Sequence, residues 1–265
     1  MSAADMTKNS PAAEETRPIL EIRGLTKAFL NTGKKEKTEV LNDLNLTVDP
    51  SEFLCILGPS GCGKTTMLRC VAGFESYEGD VLVNGKLETG PGTDRIMIFQ
   101  DFNQLFPWKT VEKNIQYGLK LQGIKDKEEL KKRSDSALRK VKLDGYQNFY
   151  PYQLSGGMKQ RVAIAKAFAL KPSIILMDEP FAALDAMTRT KLQKELMHLH
   201  EQEDCTILFI THNILEAISL GTRIIVLQTG GDIVVDQKNP IPKPVTPDSP
   251  GYGAFWTQLH DALYA

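Results

Sequence analysis

A glycine-rich run that could hold phosphate groups lies early in the chain. Gly58–Thr65 matches the pattern G-x-x-x-x-G-K-[ST] and directly follows the apolar segment Phe53–Leu57, which predicts a strand; Thr66–Gly73 can begin a helix. In this context the glycines let backbone N–H groups approach phosphate oxygens, and the helix N-terminus favours an anion. The predicted nucleotide-binding residues of the loop are Gly58, Pro59, Ser60, Gly61, Cys62, Gly63, Lys64, Thr65 and Thr66.

Two side chains of this loop have distinct roles in phosphate chemistry. Lys64 would contact the β- and γ-phosphates, and the Thr65 hydroxyl would hold Mg²⁺. The alternative is a glycine-rich turn that matches the pattern by chance. It is disfavoured because the whole pattern agrees and the flanking segments are of the right kind. The sequence therefore predicts a nucleotide-phosphate site.

An acidic pair and a histidine follow two further apolar segments. Ser173–Met177 predicts a strand that ends in Asp178 and Glu179, and Thr206–Ile210 predicts another that leads to His212. Placed beside the phosphate loop, Asp178 can reach the Mg²⁺ shell, and Glu179 could orient and deprotonate the attacking water. His212 would lie within reach of the γ-phosphate or of Glu179. Each group alone is more often a solvated strand end or a structural side chain; their common placement favours catalysis.

Short apolar segments bounded by turn residues must position these groups. They predict strands at Ile19–Ile22, Val40–Val48, Phe53–Leu57, Asp80–Val83, Ser173–Met177, Thr206–Ile210 and Arg223–Val235, the last interrupted at Thr229–Gly231. Asn84-Gly85 suits a tight hairpin turn because both residues tolerate positive φ. Continuous apolar strands favour a sheet that is covered on both faces, and hence an α/β fold.

Two segments read as helical. Strand signals disappear from Gln100 to about Leu170, where Lys125–Leu143 predicts a helix and the simplest account is a helical insertion. Its expected buried face comprises Leu130, Leu138, Val141 and Leu143. After a proline-containing stretch, Ala254–Tyr264 could form a short terminal helix. Its expected inward residues are Phe255, Trp256, Leu259 and Leu263.

Composition excludes some classes of protein. The 265 residues are 42% hydrophobic and 25% charged, with a formal net charge of −1, so no clustered basic excess points to a nucleic-acid partner. The four cysteines show no metal-ligand spacing, which favours free thiols. The polar first residues do not resemble a signal peptide, and no window has the ~18 consecutive apolar residues of a membrane span. We expect a soluble chain whose membrane role, if any, requires a partner.

A further motif identifies the family. Leu154-Ser155-Gly156-Gly157, followed by Met158–Arg161, resembles the signature of the nucleotide-binding subunits of ATP-binding-cassette (ABC) transporters, and the resemblance covers nearly all of Ile19–Val235. It implies a P-loop NTPase (RecA-like) core with an antiparallel β-subdomain and an inserted α-helical subdomain. The implied domains are a flexible tail (1–17), an ABC ATPase domain (18–238, with the helical subdomain at about 101–170) and a C-terminal extension (239–265).

The same resemblance implies roles for other residues. Phe29 resembles the aromatic residue that stacks on adenine; the less favoured alternative is a half-buried strand residue. Gln100 resembles the glutamine that contacts Mg²⁺ and water, Asp185 lies in a segment like the loop that crosses to the partner subunit, and His212 resembles the switch histidine. Asn213 stands where many relatives carry aspartate, which could weaken a loop contact.

The family also implies an assembly. Two subunits would form a head-to-tail homodimer, or pair with another cassette subunit, so that ATP lies between the phosphate loop of one and Ser155, Gly156 and Gly157 of the other. A helix preceded by Ser-Gly-Gly offers a hydroxyl, free N–H groups and a positive dipole end to the γ-phosphate. Met158 replaces the glutamine common at the end of the signature but leaves Ser155 intact.

The stretch after Gln100 resembles nitrate, sulfonate and taurine importer ATPases, as in Leu105–Trp108 and Tyr150–Gln153. The resemblance implies a permease whose coupling helix docks near Gln100–Trp108, an extracytoplasmic solute-binding protein, and a peripheral location at the cytoplasmic face of the cell (inner) membrane. Core packing is the competing explanation for Phe106 and Trp108. Rival functions are an exporter ATPase, or a non-transport ABC ATPase that remodels nucleic acid or ribosomes.

Overall fold

A computed structural model describes residues 17–31, 36–101 and 104–264, with the side chains of Asn31 and Glu36 excepted. Most of the expected flexible tail, and part of the Lys-rich stretch after Leu30, lie outside these ranges. Within them the chain forms ten strands: Leu20–Asn31 (β1), Glu36–Val48 (β2), Phe53–Leu57 (β3), Glu78–Val83 (β4), Lys86–Leu87 (β5), Arg95–Ile98 (β6), Ile174–Asp178 (β7), Thr206–Ile210 (β8), Arg223–Leu227 (β9) and Ile233–Lys238 (β10).

The same ranges contain seven α-helices. They are Lys64–Val71 (α1), Val111–Leu121 (α2), Lys127–Lys140 (α3), Gly156–Ala169 (α4), Ala186–Gln202 (α5), Ile214–Leu220 (α6) and Tyr252–Tyr264 (α7). None of the helices in the described part of the chain has the length and apolarity that crossing a membrane would require.

A six-stranded sheet forms the centre of the molecule, in the order β10-β9-β3-β8-β7-β6. All neighbours are parallel except β9 and β10. Every residue of β3, β7 and β8 is buried, as the continuous apolar strands predict for a sheet covered on both faces. Because parallel strands align their carboxyl ends, the residues that follow β3, β7 and β8 meet at one edge of the sheet. The predicted α/β fold is confirmed.

A second, antiparallel sheet has the order β2-β1-β4-β5. The predicted strand Ile19–Ile22 is too short: β1 continues to Asn31, because Gly24 at φ 61° allows a bulge and the strand still pairs with β2 beyond it. The predicted hairpin turn at Asn84-Gly85 is confirmed, with both residues at positive φ between β4 and β5. The sheet is thus antiparallel throughout, with β1 paired to β2 and β4.

Three helices, α2, α3 and α4, lie between β6 and β7 along the chain and pack on one another. Side-chain oxygens of Thr110, Asp126 and Ser155 cap their N-termini. The predicted helix Lys125–Leu143 corresponds to α3 and the turn after it, and the four residues expected on its inner face are all buried. This agreement follows from the 3.6-residue spacing of the apolar positions.

Helix α7 packs on α6, β9 and β10. Three of its four expected inward residues, Phe255, Leu259 and Leu263, are buried. The fourth expectation is wrong: Trp256 is 36% exposed and stacks on His260 with 4.9 Å between ring centroids. The buried residues recur every four positions, so the next residue along the helix points about 100° away from the core.

Candidate functional site

The phosphate loop connects the end of β3 to the first residue of α1, Lys64. A side chain at Gly58 would place its Cβ 2.5 Å from the carbonyl oxygen of Leu227, so only glycine fits this close backbone approach. Gly63, immediately before the helix, has φ 103°, a conformation that L side chains rarely adopt. The sequence pattern thus encodes a backbone shape that aims the first N–H groups of α1 into the loop.

The ammonium group of Lys64 is held inside this loop. Its Nζ donates hydrogen bonds to the carbonyl oxygens of Gly58 (2.7 Å) and Pro59 (2.8 Å), and the residue is buried. The loop therefore places a positive charge among backbone N–H groups at the N-terminus of a helix, an arrangement suited to a polyphosphate.

Thr65 and Asp178 meet across the edge of the sheet, although 113 residues separate them along the chain. The Thr65 hydroxyl donates a hydrogen bond to Oδ1 of Asp178 at 3.0 Å. Burial raises the pKa of Asp178, and this effect exceeds the opposing influences of the Thr65 hydrogen bond and the charge of Lys64. Because burial destabilises the ionised form of this carboxyl group, a bound cation would stabilise it more than it would stabilise a solvated carboxylate.

Glu179 and His212 form a second contact at the same edge. Nδ1 of His212 lies 2.9 Å from Oε2 of Glu179. Glu179 has φ 43°, unusual for a residue with a side chain, and its backbone N–H donates to the carbonyl of Ile210 at 3.1 Å. The backbone is therefore held in a strained shape that turns Glu179 away from the strand direction, as occurs at functional sites. We call Thr65, Asp178, Glu179 and His212 the strand-end cluster.

The donors around Thr65 fit Mg²⁺. A cavity of about 410 Å³ is lined by Thr65, Gln100 and Asp178, together with Arg69, Met97, Phe99 and Asp101. In the described ranges no group of three or more His, Cys, Asp or Glu side chains could hold a metal. Mg²⁺ needs none, because it is commonly bound by one or two protein oxygens together with substrate phosphates and water. Hydroxyl, amide and carboxylate oxygens are the ligand types that this cation prefers.

The predicted adenine contact, Phe29, lies on β1 opposite Thr38 of β2. Its ring is 41% exposed, and Nζ of Lys27 lies 4.7 Å from the ring centroid. The neighbouring part of β2 touches the phosphate loop: a Cβ at Gly63 would lie 3.0 Å from the carbonyl oxygen of Val40. An exposed aromatic face is thus presented by the sheet that borders the loop.

The residues of the signature element, Ser155–Gly157, begin helix α4. The Ser155 hydroxyl accepts a hydrogen bond from the backbone N–H of Met158 at 3.3 Å. Gly157 packs against the start of α5: a Cβ there would lie 2.7 Å from Cγ2 of Thr188. Asp185 caps α5 by accepting from the Thr188 N–H at 2.9 Å, and this bond lowers the pKa of Asp185. The signature element and the Asp185 loop are therefore neighbours.

Aromatic rings cluster after Gln100. Phe106 contacts Tyr117 and Trp108, with ring centroids 4.8 and 5.5 Å apart, and Trp108 is 71% exposed. Nζ of Lys109 and Nζ of Lys166 lie 6.0 and 5.5 Å from the Phe106 centroid. Core packing does not explain Trp108. Residues 102 and 103, within the stretch expected to meet a coupling helix, lie outside the described residues.

Sequence reasoning missed one buried carboxylate next to the strand-end cluster. Glu216 on α6 accepts hydrogen bonds from Thr211 and Gln193. The interval from Asn213 to Glu216 was a usable signal, because it is the spacing of a helix cap. Asn213 caps α6 by accepting from the Glu216 N–H at 3.2 Å. Asparagine caps helices as well as aspartate does, so Asn213 serves as the N-cap of α6.

Comparison with known proteins agrees with this geometry. The family model for ABC transporters matches residues 41–182. The chain is 49% identical over 209 residues to an uncharacterized ABC transporter ATP-binding protein of Methanocaldococcus jannaschii, covering 78% of this chain and 77% of that protein. It is 44% identical over 214 residues to the nitrate import ATP-binding protein of Synechocystis (79% and 78% covered). It is also 44% identical over 203 residues to the aliphatic sulfonates import ATP-binding protein of Bacillus subtilis (76% and 77% covered).

A solved structure gives the same result. A dimeric post-hydrolysis state of the ATP-binding cassette MJ0796, bound to ADP and Pi, superposes with a TM-score of 0.72 and 34% identity, covering 83% of this chain and 98% of that one. The glycine-rich loop, the strand-end cluster and the Ser-Gly-Gly helix start occur here within that fold. The chain therefore belongs to the ABC transporter family, as one of its ATP-hydrolysing cassettes.

Proposed function

We propose that this cassette is the energy-coupling ATPase subunit of an importer for a small solute, an anion of the nitrate, sulfonate or taurine type. The observation that carries the proposal is the strand-end cluster, in which Thr65 meets Asp178 and Glu179 meets His212 at the mouth of the phosphate loop. Relatives named as nitrate and aliphatic sulfonate import proteins support the importer class.

In this proposal the phosphate loop binds ATP through the residues from Gly58 to Thr66. The backbone N–H groups and Lys64 neutralise the β- and γ-phosphates, and Phe29 stacks on the adenine. Its exposed ring and the adjacent charge of Lys27 suit an aromatic ligand, since a cation over one face does not block the other. Binding energy from the base and the phosphates then holds the γ-phosphate at the strand-end cluster.

Thr65, Asp178 and Gln100 would hold Mg²⁺, which when bound neutralises charge on the β- and γ-phosphates. The desolvated Asp178 offers the charged oxygen, and the Thr65 hydroxyl that now donates to it can turn its lone pair to the cation. Gln100 lies at the exposed rim of the same cavity, where its amide oxygen can serve both the cation and a water molecule.

Glu179 would orient the attacking water and accept its proton, while His212 holds the carboxylate. The 2.9 Å contact fixes one carboxylate oxygen and leaves the other for water. Alignment and charge neutralisation matter more than proton abstraction alone, because phosphoryl transfer proceeds through a loose transition state. With a proton on each ring nitrogen, His212 would also donate a hydrogen bond to the γ-phosphate.

A second subunit would complete each site. We propose that Ser155, Gly156 and Gly157 present a hydroxyl and the N-terminus of α4 to the γ-phosphate bound by the partner, with Asp185 beside them at the interface. A dimeric state of the MJ0796 cassette supports this arrangement. The packing of Gly157 on the start of α5 would make the two interface segments move together.

The surface between Gln100 and Trp108 would receive a helix of the membrane permease. An exposed tryptophan beside Phe106 and Tyr117 offers an apolar socket, and Lys109 offers a charge at its rim. The chain would act at the cytoplasmic face of the inner membrane as a peripheral subunit, with an extracytoplasmic solute-binding protein delivering the solute.

The test is ATP turnover by the purified chain and by Glu179→Gln, with dimerisation followed by light scattering. We expect turnover to fall by about 100-fold or more, the range for losing a general base, while ATP with Mg²⁺ accumulates a dimer. Turnover that persists in the variant, or ATP that never favours a dimer, would contradict the assigned roles.

A further inference from the structure

A buried carboxylate, Glu216, lies outside the strand-end cluster, and the mechanism proposed above does not use it. Glu216 is only 7% exposed, although glutamate is an ionisable side chain that is seldom buried. The Thr211 hydroxyl donates a hydrogen bond to its Oε2, and Nε2 of Gln193 donates to its Oε1 at 2.7 Å. An apolar side chain would be less costly to bury, so a buried carboxylate whose two oxygens bind two different elements favours a positioning role.

One of these bonds leads to the switch histidine. Thr211 directly precedes His212, and its hydroxyl also accepts from the backbone N–H of Asn213 at 3.0 Å. Asn213 in turn accepts from the N–H of Glu216. The residues on both sides of His212 are therefore fixed to the first turn of α6. A displacement of Glu216 would move the backbone that carries the His212 ring.

The other bond leads to the Asp185 loop. Gln193 lies on α5 one turn after Arg189, whose Nη2 donates to the carbonyl of Leu184 at 3.0 Å. The same helix is capped by Asp185. Arg189 also acts on Glu216 electrostatically, and its charge opposes the rise that burial causes in the pKa of that carboxyl. Helix α5 thus connects the Asp185 loop to Glu216 through two neighbouring side chains on one face.

We propose that Glu216 is a positioning residue that couples the Asp185 loop to His212. The bonds from Gln193 through Glu216 to Thr211 hold the backbone at His212, so that His212 keeps its 2.9 Å contact with Glu179 when a second subunit contacts Asp185. Hydrolysis is then sensitive to the position of the Asp185 loop. This inference rests on the roles proposed above for Glu179, His212 and Asp185.

The experiment measures kcat and KM for ATP in the full-length chain, with Gln193→Met, Glu216→Met, the double variant and Glu216→Gln. A merely structural defect would also lower ATP affinity or thermal stability. A positioning defect lowers kcat by about tenfold and leaves KM unchanged, because the phosphate loop and Phe29 are untouched. Since Gln193 acts on His212 only through Glu216, the double variant should lose no more than Glu216→Met alone.

Glu216→Gln is the conservative rescue. Its amide can accept from Gln193 through oxygen and donate to Thr211 through nitrogen, so kcat should stay within about threefold of native. The matched control is Gln116→Met on α2, which removes a similar glutamine bond to Glu112 (3.0 Å) remote from the cluster. It should leave kcat unchanged.

Two results overturn the inference. If Gln193→Met keeps the native kcat while Glu179→Gln is inactive, Glu216 does not couple the Asp185 loop to His212, and the catalytic role of Glu179 is unaffected. Additive losses in the double variant show that the two side chains act separately, which also removes it. Persistent turnover in Glu179→Gln instead removes the catalytic role on which the inference is built, so the two failures are distinguishable.

Discussion

The strand-end cluster and the signature element are built in opposite ways. In the cluster, Thr65 and Asp178 come from distant parts of the chain, and buried parallel strands hold them together. In the signature element, the Ser155 hydroxyl bonds to the backbone three residues away, at the start of one helix. The first is a nonlocal construction fixed by a sheet, and the second is a local one available to a ligand from outside. In the proposed dimer, one chain would therefore supply two half-sites that need not face each other.

The largest expected effect comes from a substitution in the phosphate loop, next to the strand-end cluster. In Gly58→Ala, the new Cβ would meet the Leu227 carbonyl at 2.5 Å, so the loop must shift and Lys64 with it. We expect kcat/KM for ATP to fall by about 100-fold, the typical cost of a displacement near 1 Å. Steady-state turnover measures this.

Gly253→Ala is the control for that change. A Cβ there meets nothing within 4 Å, and the residue lies in α7. Turnover should be native. If Gly58→Ala were as active as this control, the close backbone approach would have no functional meaning.

A second prediction tests whether the two halves combine between subunits. Ser155→Asp keeps a helix cap but sets a negative charge against the γ-phosphate, so it should be inactive alone. Mixed in equal amounts with Gly58→Ala, it should restore about a quarter of native turnover, because random pairing gives half mixed dimers with one complete site each. Turnover of the mixture is measured against each variant alone.

The control mixture pairs Gly58→Ala with Lys64→Ala, which damage the same half. It should stay inactive, since no pairing yields an intact phosphate loop. Recovery in this control, or its absence in the first mixture, would contradict a site shared between subunits.

The smallest expected effect is a change in unfolding temperature, which should differ in sign between Asp178 of the strand-end cluster and Asp185 beside the signature element. Burial raises the pKa of Asp178, so the native state binds its proton more readily than the unfolded chain. The contribution of Asp178 to the free energy of unfolding therefore falls as the pH rises from the ordinary pKa of aspartate through the raised one. At neutral pH the buried, ionised carboxylate destabilises the native state. Asp178→Asn should therefore raise the unfolding temperature at pH 7 by about 2–4 °C while turnover is lost.

Asp185 should behave in the opposite sense. Its pKa is lowered by the Thr188 N–H, so its contribution is present above its ordinary pKa and is lost as pH falls through the lowered one. Asp185→Asn should give no gain at neutral pH. Calorimetry of both variants from acid to neutral pH checks this; a lower unfolding temperature for Asp178→Asn at pH 7 would contradict the sign.

The residues of the strand-end cluster were predictable because each directly follows an apolar strand or lies in a fixed pattern, and parallel strands end at one edge. The order of the strands was not predictable. The position of β3 between β8 and β9 depends on pairings between distant segments that no local pattern records. For the same reason the bond from Gln193 to Glu216, which joins two helices, was not predictable, although the interval from Asn213 to Glu216 is that of a helix cap. Helix faces were predictable except where one aromatic residue, Trp256, adjoins the buried stripe.

The central position of β3 also has a consequence for biosynthesis. Its sheet partners, β8 and β9, both come from the C-terminal third of the chain. While a ribosome is still translating that region, the strand that leads into the phosphate loop has neither neighbour, and its apolar residues lack their cover. Folding with such long sequence separation is slow and prone to aggregation. A nascent chain that stops before β8 lacks the strand that joins β3 to β7, so the phosphate loop and Asp178 can be held together only after β8 has been synthesised.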